Sequence, residues 1–233
     1  MSQLHKFLFD GLPVRGMLVQ LTDVRQEVLK RRAANAETGA YPEAVRHLLG
    51  EMTAASVLMQ SNIKFNGALV MQIFGDGPLK LAVVEVQPDL SLRSTAKVVG
   101  ELGDASTLPE MVNVNNEGKC AITLDPLNKM PGQQPYQGVV PLFDDQRNKL
   151  DKFSDVLQHY MLQSEQLDTT LVLAANDTTA AGLLGASGLL AWNSIKAAKS
   201  AKPTSYAPEA TRLTAPPEPL PASTVTSSLA SLK

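Results

Sequence analysis

The chain has 233 residues, of which 44% are hydrophobic and 19% charged, and its formal net charge is −2. This is enough apolar content for one domain with a real core, and the near-neutral balance removes the electrostatic case for a nucleic-acid or anionic-membrane partner. Cys120 is the single cysteine, which excludes an internal disulfide and fits a reducing compartment. The start, MSQLHKFLFDGLPVRG, lacks the basic-then-apolar pattern of a signal peptide. The longest nearly uncharged apolar run, Ala180 to Trp192, is shorter than the ~20 residues of a membrane span. A soluble, cytoplasmic protein is expected.

The first 22 residues alternate loosely until Leu12-Pro13 interrupts them, and Val14 to Leu21 then reads as a strand. Thr22 or Asp23 can cap a helix to about Ala34. Lys30, Arg31 and Arg32 fall in its last turns, where they suit the helix dipole and read as a solvated end rather than an anion patch. Tyr41-Pro42 opens the clearest helix, to about Ser61. Its apolar face is Val45, Leu48, Leu49, Met52, Ala55 and Met59, with Glu43, His47 and Glu51 stacked opposite. The stretch Ala54 to Met59 is apolar nearly all round, which predicts burial on both sides.

Three strand-like runs follow over residues 64–99, and they predict an antiparallel meander. The first corner, Gly75-Asp76-Gly77-Pro78, reads as a structural turn whose glycines can take positive φ. The second corner is Gln87-Pro88-Asp89, with the third run spanning Leu90 to Val99. Beyond them the pattern predicts a helical turn near Leu108 and strands over Lys119 to Leu124 and Tyr136 to Phe143. A helix from Asn148 to Glu165 has Phe153, Val156, Leu157, Tyr160 and Met161 on one face, and Thr169 to Ala175 reads as the final strand.

From about Gly185 to Lys233 the composition shifts to Ala, Ser, Thr, Leu and Pro. The acidic residues there are Glu209 and Glu218, and Pro216-Pro217 falls among its prolines. Such a stretch does not bury enough apolar area to offset its ordering entropy. The expected division is a domain over residues 1–184 and a disordered tail over residues 185–233.

The motifs of chemistry are missing. Gly75-Asp76-Gly77-Pro78 is neither a phosphate loop nor a dinucleotide fingerprint, and Asp76 would repel a phosphate. His5, His47 and His159 are far apart, with no H-E-x-x-H or C-x-x-C spacing for zinc. Cys120 leads a strand run, Ala121 to Leu124, with no base beside it, so a small buried side chain is the expectation rather than a thiol nucleophile. Asn176-Asp177-Thr178 matches a glycosylation sequon but lacks a secretory context. No catalytic, cofactor or metal residue is assigned, and an enzyme is not expected.

Six segments carry a family likeness: LHKFLFD, VRGMLVQLT, YPEAVRHLLGEMTAASVLM, IKFNGALVMQIFGDGPLKLAVVEV, PYQGVVPL and HYMLQSEQLDTTLVLAAND. In this order, over residues 3–184, they resemble the thirty-three-kilodalton heat-shock chaperonin family, redox-regulated bacterial holdases. The resemblance implies a compact α+β core with an antiparallel meander and layered sheets (β/β/α) covered by amphipathic helices. It implies a cytoplasmic, ATP-independent chaperone, dimeric when active, that binds unfolding proteins under oxidative and heat stress and prevents their aggregation. It also implies a later domain that holds zinc through four cysteines, as a C-x-C and a C-x-x-C pair; Cys120 matches none of them. The likeness fades within Thr179 to Leu184, which suggests a reading-frame shift there, with a genuine tail or an unrelated fusion as the other readings. The alternatives are a dimerising interaction module or a non-functional truncated product, neither binding clients. The client-binding surface is not assigned by the sequence.

Overall fold

The computed structural model describes residues 1–10, 14–129, 132–165, 168–187 and 203–204. In chain order its elements are β1 (Gln3–Phe9), β2 (Val14–Leu21), α1 (Asp23–Ala33), α2 (Glu43–Asn62), β3 (Gly67–Phe74), β4 (Leu79–Val86) and β5 (Leu92–Val98). They continue with α3 (Leu108–Val112), β6 (Lys119–Pro126), β7 (Tyr136–Pro141), α4 (Phe153–Glu165), β8 (Asp168–Ala175), β9 (Ala180–Ser187) and β10 (Pro203–Thr204). The strands make two wholly antiparallel sheets. Sheet A has the order β10-β1-β2-β9-β8 and sheet B the order β5-β4-β3-β6-β7.

The class is α+β, as the pattern implies, and the meander is β3-β4-β5 within sheet B. The layering is more specific than β/β/α. Helix α2 packs against β2, β8 and β9 of sheet A and against β3, β4 and β5 of sheet B, so it lies between the sheets. Its sequence requires this: Val45, Met52, Ala54, Ala55, Val57 and Leu58 point in all directions around the helix and are all fully buried. The hydroxyls that share this environment are satisfied within the helix. Thr53 Oγ1 donates to the Leu49 carbonyl at 2.6 Å and Ser56 Oγ to the Met52 carbonyl at 2.8 Å. Small residues permit the close approach. A Cβ added to Gly50 would lie 2.5 Å from the Ala175 Cβ, and one added to Gly182 would lie 2.8 Å from Leu58 Cδ1.

Two arginines fasten the β8–β9 turn to the helices. Arg25, buried on α1, donates from Nε to the Asn176 carbonyl at 3.0 Å and from Nη2 to the Arg46 carbonyl at 2.8 Å. Arg46 on α2 holds the Asp177 carboxylate in a bidentate pair at 2.7 and 2.9 Å. Asn176 turns the chain locally by accepting the Thr178 and Thr179 backbone N–H groups, so the sequon residue is engaged in the turn.

Several boundaries differ from the sequence expectation. Thr22 makes no side-chain cap on α1; instead Ser2 Oγ accepts the Thr22 N–H at 3.0 Å and the Val24 N–H at 3.4 Å. The third meander strand starts at Leu92 rather than Leu90, because Leu90 takes φ 64° in the corner while its side chain stays buried. Helix α4 starts at Phe153 rather than Asn148. Asp144 draws residues 146–148 into a tight turn by accepting the Gln146 and Asn148 N–H groups. Finally, β8 is not the last strand. Strand β9 follows and runs to Ser187, past the expected end of the domain at residue 184. The two-residue β10 pairs with Leu8 and Phe9; the rest of the expected disordered tail lies outside the described residues.

Glu51 sits on α2 within this packing. Burial, partly offset by Lys152, pushes its carboxyl from 4.5 up to about 7. A raised acid binds its proton more tightly in the folded state, so its contribution to stability falls as pH rises from about 4.5 to about 7 and then levels off. Glu51→Gln should leave the urea midpoint unchanged below pH ~4 and raise stability by about 2 kcal/mol at pH ~8. Equal midpoints for the two proteins at both pH values would refute this account.

Candidate functional site

Gly75, Asp76, Gly77 and Pro78 join β3 to β4 and sit against α3 and the loop that follows it. The Asp76 carboxylate accepts three backbone N–H groups, from Val114 at 2.6 Å, Asn115 at 2.7 Å and Glu117 at 3.1 Å. Burial alone would raise its pKa, but these donors together outweigh it and hold the carboxyl below its ordinary value. Neither glycine has positive φ, contrary to the sequence expectation. Close approach explains them instead: a Cβ on Gly75 would lie 2.0 Å from the Leu79 carbonyl oxygen, and one on Gly77 would lie 2.4 Å from the Met111 carbonyl oxygen. The corner is thus a clamp that ties the β3–β4 turn to the segment entering β6.

The other residues singled out by sequence do not converge. His5 lies beside Gln3 at 3.1 Å, His47 faces Glu43 at 3.6 Å, and His159 faces Asp145 at 3.7 Å. Cys120 is fully buried opposite Ile73, and burial pushes its thiol up to about 12. Such a thiol is inert as a nucleophile or ligand at neutral pH. The zinc-thiolate centre implied by the family likeness therefore does not fit the residues of this chain, which have one cysteine. Among the described residues no three His, Cys, Asp or Glu side chains form a metal-holding group, and no helix is long and apolar enough to cross a membrane.

The outward face of sheet A is the distinctive surface. Strand alternation sends Met17, Val19 and Leu184 toward α2 and the opposite residues outward. The register aligns Leu18 with Leu183 and Leu183 with Val172, so these three stand in one row across β2, β9 and β8. They are 41%, 42% and 57% exposed. In the next row Phe7 opposes Gly16, and a Cβ on Gly16 would lie 2.2 Å from the Phe7 ring, so that ring lies over the strand. Gly16 also opposes Gly185, whose added Cβ would meet only open space. Ala174 and Ala181 pair in the row on the other side. None of these outward residues is charged. The sequence reading missed this face because β9, AAGLLGAS, is poor in β-branched and aromatic residues. Its strand conformation is imposed by pairing along its whole length with β2 on one side and β8 on the other. The available signal was the apolar run from Ala180.

At the GDGP corner, Gly75→Ala should cost about 3 kcal/mol of unfolding free energy, because the new methyl meets backbone rather than a movable side chain. Asp76→Ala should cost about 2 kcal/mol by orphaning three N–H donors. Denaturant unfolding of each variant measures both; losses under about 0.5 kcal/mol would contradict the clamp.

Comparison with known proteins gives a consistent result. The family model described as Hsp33 protein matches residues 2–191. The chain is 48% identical over 183 residues to the 33 kDa chaperonin of Chromobacterium violaceum, covering 78% of this chain and 56% of that protein. It is 43% identical to the 33 kDa chaperonin of Methylobacillus flagellatus, again over 78% of this chain and 56% of that protein. The crystal structure of the 33 kDa chaperonin from Thermotoga maritima superposes with a TM-score of 0.59 at 17% identity, covering 80% of this chain and 61% of that one, a likeness of fold. The chain spans about half the length of the curated relatives it matches. On the ordered segments, the two sheets around α2 and the family match over residues 2–191, the chain belongs to the Hsp33 protein family.

Proposed function

We propose that this chain is the core of a holdase chaperone, which captures unfolding polypeptides on the outward face of sheet A without ATP and keeps them from aggregating under heat or oxidative stress. The observation that carries the reading is the uncharged row Leu18–Leu183–Val172, exposed on an ordered sheet with Phe7 in the neighbouring row. An exposed apolar patch on a stable scaffold suits capture of unfolded chains, whose own apolar residues are in water. Holding a client requires no bond making, so a site without catalytic groups is sufficient. A cytoplasmic location and a homodimeric state belong to the same proposal, as what the family likeness implies. Redox switching through zinc is not part of it, because the single cysteine is buried and protonated.

Light scattering of a thermally unfolding client tests this. The chain should suppress aggregation without oxidant and equally with peroxide. A triple variant, Leu18→Ser, Val172→Ser and Leu183→Ser, should lose most of the suppression, since about 4 kcal/mol of potential apolar burial is removed. Circular dichroism checks that the variant remains folded. No suppression by the parent chain, with or without peroxide, would overturn the proposal and favour a plain interaction module.

A further inference from the structure

A cleft of about 450 Å³ opens between the end of α1, the segment entering α2 and the edge strand β5. Arg32, Thr38, Ala40, Tyr41, Pro42 and Lys97 contribute to its lining. Tyr41 is a rigid wall: it is 5% exposed, and its hydroxyl accepts the Ala96 N–H at 2.8 Å and donates to the Ala96 carbonyl at 3.1 Å. The Arg32 guanidinium carbon lies 3.9 Å from the centroid of that ring. Stacking fixes the plane of the guanidinium and leaves its N–H edges for other partners.

Those edges are poorly used. Arg32 Nε is buried and has no hydrogen-bond partner among the described residues, and Nη2 reaches the Thr38 carbonyl only at 3.5 Å. The adjacent Arg31 behaves differently, pairing with Glu27 at 2.7 Å. Lys97 brings a second cation to the cleft, and no carboxylate lines it. A stacked guanidinium whose terminal nitrogens make only the long Thr38 contact among the described residues, a neighbouring ammonium and a Thr38 hydroxyl form a donor set that matches an oxyanion, while Ala40 and Pro42 supply apolar wall. We propose that this cleft binds a small oxyanion, a phosphate or a carboxylate, through Arg32 and Lys97. This site is separate from the outward face of sheet A and does not depend on the chaperone reading.

Calorimetric titration of the full chain tests the proposal with inorganic phosphate and benzoate as separate probes, at ionic strength held constant with chloride. Saturable heat is expected for at least one probe; phosphate alone assigns a phosphoryl ligand, benzoate alone a carboxylate, and both a general oxyanion site. Arg32→Gln and Lys97→Gln should each weaken binding about tenfold. Lys97 is an exposed strand residue, so its variant keeps the test valid if Arg32→Gln impairs folding. Absence of saturable heat from both probes, a chloride response of equal size, or unchanged affinity in the Lys97 variant would overturn the site.

Discussion

The structure depends on one constraint: helix α2 is apolar around most of its circumference and has to be covered from both sides. A single sheet covers one stripe of a helix. Two sheets, one on each side, remove Val45, Met52, Ala54, Val57 and Leu58 from water at once. Each fully buried Val, Met or Leu among them contributes about 1.5–3 kcal/mol, so the sandwich holds a large share of the hydrophobic stabilisation. The same arrangement makes Glu51 costly, since its helix lies between two sheets and offers little contact with water.

The constraint also explains the anchoring of sheet A. Strands β8 and β9 arrive late in the chain and close the second side of α2, so their position has to be specified from a distance. Arg25 on α1 and Arg46 on α2 do this through the turn at Asn176 and Asp177. Sheet B is fixed differently, by the clamp in which Asp76 collects the N–H groups of residues 114, 115 and 117. With the inner faces committed to α2, the outward face of sheet A remains, carrying Leu18, Leu183 and Val172 in register. The proposed capture of clients is therefore a consequence of which face the helix leaves over.

Much of this was legible beforehand. The meander, the apolar face of α2, the all-round burial of its second half and the family likeness all come from local periodicity and segment order, which neighbours in sequence suffice to specify. The interior boundaries were less so. Leu90 departs from strand geometry because its buried side chain compensates a left-handed backbone, and Asn148 leaves the helical pattern because Asp144 accepts its N–H in a tight turn. Neither effect has a periodic signature in the sequence.

The sequence by itself determined the α+β class, the central helix and the membership of the family, because these rest on hydrophobic spacing and on ordered segments. It also determined that Cys120 stands alone. Only the tertiary structure decided that AAGLLGAS is a strand, that Gly75 and Gly77 answer to backbone crowding rather than positive φ, and that Arg32 meets Tyr41 above an open cleft. The physical reason is common to all three. Each is fixed by atoms brought close by pairing or packing between distant residues, and the local pattern carries no record of them.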